Sequence, residues 1–241
     1  MRTQILLLCL VSSLFRAVAQ INPVQDYLKV SKDHAIIYNG EIEFTYTSTI
    51  YANLPYFQSA DFVPGEILFK GNVYSDQPVR LDLSKDQLII VTPQTNLCTI
   101  VDMERIQSVK LHNTLFIYNR PTADSKLEKG FYEQLYAGKH LTLLARKTYQ
   151  CNKIPAEELA RTRKPQTDFF IYRERYYLKY DGNYYPVGNK KSFYKIFPAE
   201  QKSISRYCKK QNLKFKKEKS ESSLMSLTDY CETLINQNNN R

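Results

Sequence analysis

The chain of 241 residues has no tryptophan, only three histidines and seven glycines, and ten prolines. So little Gly and Pro excludes a collagen-like or low-complexity chain. Hydrophobic residues make up 43% and charged residues 24%, the composition of a globular protein rather than a disordered one. Beyond the first 15 residues no apolar run approaches the ~20 needed for a bilayer-spanning helix, which excludes a polytopic helical membrane protein. Catalytic signatures are missing as well: there is no G-x-S-x-G elbow, H-E-x-x-H, Walker loop or G-x-G-x-x-G. No C-x-x-C occurs, and the histidines at 34, 112 and 140 are too scattered for a zinc site. Neither a metal nor a cofactor is expected, and no catalytic residue is assigned. Asp82, Asp86 and Asp102 near predicted strand ends keep a carboxylate-dependent hydrolase open, although turn formation accounts for each of them.

What the N-terminus does contain is the pattern expected of a secretory leader, with a buried N-terminal helix as the alternative. Arg2 precedes an apolar run from Ile5 to Leu14, and Ala17-Val18-Ala19 supplies the small residues of a peptidase site. Residues 1–19 are therefore expected to leave during export, placing the mature chain in the periplasm, at the cell surface or outside the cell. Cys9 leaves with the leader. Cys98, Cys151, Cys208 and Cys231 remain in a compartment that permits disulfides, with three possible pairings, and buried free thiols account for them equally well.

The mature chain divides by hydrophobic period. From 20 to 188 the two-residue alternation of strands prevails: Val79, Leu81 and Leu83 point one way while Arg80 and Asp82 point the other. Asn39-Gly40, Gly71-Asn72 and Asp181-Gly182 each offer a Gly for a two-residue hairpin turn, and Ala137-Gly138-Lys139 joins a further pair. Short connections require antiparallel neighbours. The fold class is α+β and mostly β, an antiparallel meander whose curvature, up to a barrel-like form, is left open. From 189 to 236 the period becomes helical, giving two or three short C-terminal helices. Ser220 is placed as the cap of the last, with Leu224, Leu227, Cys231 and Leu234 on one stripe. Residues 237–241 form a polar tail expected to fray. Cys208 and Cys231 fall on apolar faces of two helices that should lie antiparallel, so a disulfide between them is one expectation and two adjacent core thiols the other.

Two clusters could carry binding. Tyr172, Tyr176, Tyr177, Tyr180, Tyr184 and Tyr185 crowd one hairpin, either as an exposed aromatic platform for a partner protein, peptide or glycan or as cross-strand pairs within the sheet. Lys209, Lys210, Lys214, Lys216, Lys217 and Lys219 suit peripheral contact with anionic lipid, or simply a solvated connection between helices from which Leu213 and Phe215 insert. No nucleic-acid signature accompanies them, so nucleic acid is not an expected partner.

The order of segments also resembles a known group. Tyr38-Asn39-Gly40-Glu41, Leu54-Pro55-Tyr56-Phe57, the run from Gly65 to Tyr74, the run from Arg80 to Asp86, Gly130-Phe131-Tyr132-Glu133-Gln134-Leu135 and Leu224 to Tyr230 together are similar to a group of exported Gram-negative cell-envelope proteins of unknown function. Those combine a β-meander with a Lys-rich helical C-terminus. This chain departs from them in carrying Leu81 before Asp82 where the group has Tyr-Asp, and Cys231 in place of a second Tyr. The resemblance implies a periplasmic or secreted location and an accessory, non-enzymatic role, and it brings no functional residues with it. The intact mass of the exported protein should correspond to a chain starting at Gln20; an exported chain still carrying Met1 would contradict the leader assignment.

Overall fold

Pairs of backbone positions with positive φ set the ribbon geometry. Lys70 and Gly71, at φ 50° and 76°, close one two-residue hairpin, and Asp181 and Gly182, at φ 48° and 72°, close another. Primed turns of this kind match the twist of the strands they join. The first turn lies one residue earlier than Gly71-Asn72, because Phe69 pairs directly with Asn72. The computed structural model describes residues 22–121, 127–163, 165–216 and 219–239, so the expected leader at 1–19 lies outside the described residues.

The strands are β1 (Val63–Phe69), β2 (Asn72–Asp82), β3 (Gln87–Val91), β4 (Cys98–Ile100), β5 (Ile106–Leu111), β6 (Thr114–Asn119), β7 (Gly130–Ala137), β8 (Leu141–Lys153), β9 (Asp168–Tyr180) and β10 (Asn183–Val187). They form one sheet in the order β10-β9-β8-β7-β6-β5-β1-β2-β3-β4. Every neighbouring pair of strands is antiparallel. The α+β, mostly β meander is therefore the fold. Two runs of successive hairpins meet where β5 pairs with β1.

The sheet curls strongly yet does not close, since β10 and β4 remain its two ends. A shift of register opposite Glu66 and the positive φ of Asp76 mark a bulge that bends β2. The curl carries the β2–β3 turn onto β7 and β8. There Tyr149 N donates to Leu83 O at 3.2 Å. Asp86 accepts from Phe131 N at 3.2 Å and from Arg146 Nη1 at 2.6 Å, and Arg146 Nη2 makes a second contact with it. Inside the curl lies the main core, in which Ile67, Phe69, Val79, Leu81, Leu88, Val109 and Phe116 are all buried.

Three features depart from the expectation. Ala35 to Tyr38 are not a strand: Ile36–Tyr38 is a 3-10 turn whose Ile37 and Tyr38 enter the main core. Gly40 makes no hairpin, and its need for Gly is steric, because a Cβ there would stand 1.6 Å from Ile100 O. Residues 41–43 instead run beside β4, with Ile100 N donating to Glu41 O and Glu43 N to Cys98 O. Two helices interrupt the region expected to be strands: α1 (Pro23–Ser31), capped by Asn22, and α2 (Ala156–Thr162).

The change of period at 189 does mark the helical segment. It contains α3 (Lys190–Ile196), α4 (Gln201–Lys210) and α5 (Ser220–Asn239). Ser220 is the first helical residue of α5 rather than its cap, and the helix runs beyond 236, through the first residues of the expected polar tail. These helices share one hydrophobic cluster with β8–β10, joining Leu141, Leu143, Ala145 and Leu178 to Phe193, Ile204, Leu224 and Leu227. Each fully buried Leu, Ile or Phe among them contributes about 1.5–3 kcal/mol. Asp86→Asn keeps the left-handed turn but removes the charge facing Arg146, and is expected to cost about 2 kcal/mol in denaturant unfolding; adding Arg146→Met should recover part of that loss.

Candidate functional site

Alternation in β2 sends Arg80 and Asp82 away from the main core, yet both are buried, at 8% and 1% exposure. Residues 43–62 cover that face. Glu43 accepts from Arg80 Nη2 at 2.7 Å and from the Tyr56 hydroxyl at 3.0 Å. The Arg80 guanidinium lies over the rings of Tyr56 and Phe62, at 4.1 and 4.4 Å from their centroids. Asp82 accepts from the Tyr46 hydroxyl at 2.8 Å and from the backbone N–H groups of Ser84 and Lys85 at 2.7 and 3.0 Å. Arg80 and Asp82 do point away from Val79, Leu81 and Leu83, and a distant segment closes over them. Burial raises the Asp82 carboxyl above its ordinary value, against those three hydrogen bonds. Burial likewise raises the Tyr46 and Tyr56 hydroxyls, with the adjacent carboxylates adding to it.

The three carboxylates weighed for hydrolysis are all engaged within the chain: Asp82 as above, Asp86 with Arg146, and Asp102 with Arg105 at 3.0 Å. Among the described residues no three metal-ligating side chains come together. The tyrosine hairpin is divided between layers. Tyr176 is buried and Tyr180 half-buried against the helices, while Tyr177 and Tyr184 pack around Tyr132 on the opposite face. Tyr185 is half-buried, and Tyr172, at 43% exposure, stacks at a tilt on Tyr149. One continuous aromatic platform does not form.

The C-terminal helices present a different surface. Asn189 caps α3 by accepting from Lys191 N at 2.8 Å, and a capping box with Ser192 completes that end. Pro198 then opens a 3-10 turn (Pro198–Glu200) leading into α4. Ile204 and Cys208 face the sheet, while Tyr207 lies flat on Tyr230 of α5 with ring centroids 4.0 Å apart. The connection after α4 is tied down: Leu213 N donates to Cys208 O, and Ser223 Oγ both accepts from Lys214 N and donates to Lys214 O. Leu213 and Phe215 are half-buried in the helical cluster, and Lys209, Lys210, Lys214, Lys216 and Lys219 are exposed. Lys217 lies outside the described residues.

The run of lysines is one part of a larger basic segment. Between 189 and 219 stand eleven Lys and Arg against two acids, a net +9 of the whole chain's +10. Lys190, Lys191, Lys195, Lys202 and Arg206 therefore belong with the 209–219 lysines, and a running charge count would have found them. None of these cations forms an ion pair among the described residues. Lys191 with Lys195, Lys202 with Arg206, and Arg206 with Lys210 are like charges four residues apart on helices. Each such pair costs about 0.2–0.5 kcal/mol, so the arrangement works against the stability of its own helices. Two adjoining hollows bring four of these cations together. One, of about 670 Å³, is lined by Lys190, Lys191 and Lys202; the other, of about 340 Å³, by Lys190 and Lys209.

Cys208 and Cys231 are free thiols, both buried in the helical cluster. Burial raises both, the Cys231 thiol to about 12. Cys98 and Cys151 are free as well.

The raised carboxyl of Asp82 makes stability depend on pH. The folded chain holds that proton more tightly than the unfolded chain, so its contribution is full below the unfolded value near 3.8 and is lost as pH rises through the folded value. Relative to the parent, Asp82→Asn should therefore gain stability between pH 4 and pH 7 in denaturant titrations; an unchanged difference at the two pH values would contradict the assignment. Comparison with protein-family models, with curated proteins and with solved structures found no match for this chain.

Proposed function

We propose that the protein is an exported, non-catalytic accessory protein of the cell envelope whose helical C-terminal face docks on anionic lipid. The observation that carries this reading is the segregation of charge: net +9 within residues 189–219, with no ion pair among the described residues to neutralise it. A basic surface close to an anionic membrane gains about 1 kcal/mol per Lys or Arg, over a range set by the Debye length of about 10 Å at 0.1 M salt. Four or five residues in contact are then enough for reversible attachment without any inserted span. No helix among the described residues is long and apolar enough to cross a membrane.

The other routes to function have less to stand on. A partner protein, peptide or glycan held by the tyrosine hairpin would have to use rings divided between two packed layers, Tyr176 and Tyr180 against the helices and Tyr177 and Tyr184 around Tyr132. A carboxylate-dependent hydrolase would have to draw on acids already committed to internal partners. The leader-like N-terminus and the resemblance to exported envelope proteins favour a location where phosphorylated lipid headgroups are abundant.

The mature protein should co-sediment with vesicles containing phosphatidylglycerol at 50 mM salt, stay in solution with purely zwitterionic vesicles, and detach at 500 mM salt. Changing Lys190, Lys191, Lys202 and Lys209 to Gln should weaken attachment about fivefold for each lysine in contact with the surface. Failure to bind anionic vesicles at low salt, or binding indifferent to salt, would overturn the reading.

A further inference from the structure

An apolar cavity adjoins the basic hollow. About 210 Å³ in volume, it lies where the end of α5 meets the Pro198 turn and the end of β9, and Tyr180, Phe197, Cys231, Leu234 and Ile235 form much of its wall. Pro198 and Ala199 line this cavity on one side and the Lys190, Lys191 and Lys202 hollow on the other. The two spaces are therefore neighbours separated by one exposed turn, one apolar and one cationic.

Their chemistry matches the two halves of one kind of molecule. An apolar cavity of about 150 Å³ already stays dry and takes up a ligand the size of benzene, so this one has room for a short alkyl chain. The acid on its wall, Glu200, accepts from Asn238 Nδ2 at 3.2 Å. A negative headgroup is thus disfavoured on the Glu200 side and favoured among the lysines across the turn. We propose that this double site holds a single-chain anionic amphiphile, such as an alkyl phosphate or the equivalent part of a lipid, with its chain against Leu234 and Ile235 and its headgroup among Lys190, Lys191 and Lys202. The headgroup half rests on the anionic-lipid reading above; the chain half rests on the cavity alone.

Calorimetric titration of the mature protein with inorganic phosphate and with n-alkyl phosphates of increasing length, each below its micelle concentration, separates the two halves. Affinity should rise about fourfold per added methylene until the cavity is full, and then level off. Lys190→Gln and Lys202→Gln should lower affinity by a similar factor at every chain length, whereas Leu234→Phe, which fills the cavity, should flatten the slope. Should Leu234→Phe fail to fold, thiol alkylation of the parent protein replaces it. Octyl phosphate should slow modification of Cys231, on the cavity wall, more than that of Cys208, which lies on the wall of the separate hollow lined by Lys209.

Equal affinity for inorganic and octyl phosphate, or equal protection of the two thiols, would overturn the proposal. Vesicle binding combined with a flat chain-length series would overturn this inference and leave the surface reading in place. A sloping series without vesicle binding would support the cavity and remove the surface.

Discussion

The apolar seam between the C-terminal helices and β8–β10 is the interaction on which the rest depends. Leu141, Leu143, Ala145, Tyr176 and Leu178 form the sheet side, and Phe193, Ile204, Leu224, Leu227 and Cys231 the helix side. At about 1.5–3 kcal/mol for each fully buried side chain, the seam far outweighs the few tenths of a kcal/mol lost at each like-charge pair on α3 and α4. Helices this short and this basic would not persist in water by themselves. The seam supplies their stability and, because one face of each helix is committed to it, turns the lysines outward together.

Electrostatics divides the molecule into two regimes. In the sheet, several charged groups shielded from water are paired: Arg80 with Glu43, Arg146 with Asp86, and Lys147 between Glu133 and Glu221 at 2.6 and 2.9 Å. Removing one member of such a buried pair is costly, because the partner is left charged in a poor solvent. These contacts pin segments far apart in the chain: residues 43–62 on β2, the β2–β3 turn on β8, and α5 on β7 and β8. On the helical face the cations have no such partners among the described residues, and their charge is screened only by solvent and salt. A segment that leaves nine positive charges in excess has a surface suited to an anionic partner.

Legibility in the sequence followed the range of the interaction responsible. The Asp181-Gly182 turn, the β7–β8 pair and the stripe of Leu224, Leu227 and Cys231 could all be read, since each depends on residues within about one turn or one hairpin of each other. Where the controlling contact was distant, the reading failed. Gly40 resembles a hairpin glycine, but Ile100, sixty positions away, dictates why no side chain fits there. The lysine run was read from 209 onward and a charge count extends it back to Lys190, whereas the gathering of Lys190, Lys191, Lys202 and Lys209 on the walls of adjoining hollows needed the folded helices.

By itself the sequence determined the antiparallel meander, the switch to helices near 189 and the concentration of positive charge in the last quarter of the chain. Backbone turn preferences, side-chain period and net charge are all properties of local composition, and they survive whatever the rest of the chain does. Only the tertiary structure decided that Arg80 and Asp82 are buried, that the tyrosines are shared between two packed layers, and that an apolar cavity lies beside a basic hollow. Those outcomes turn on which remote segment covers a given face, and burial and cavities arise from the packing of several elements at once.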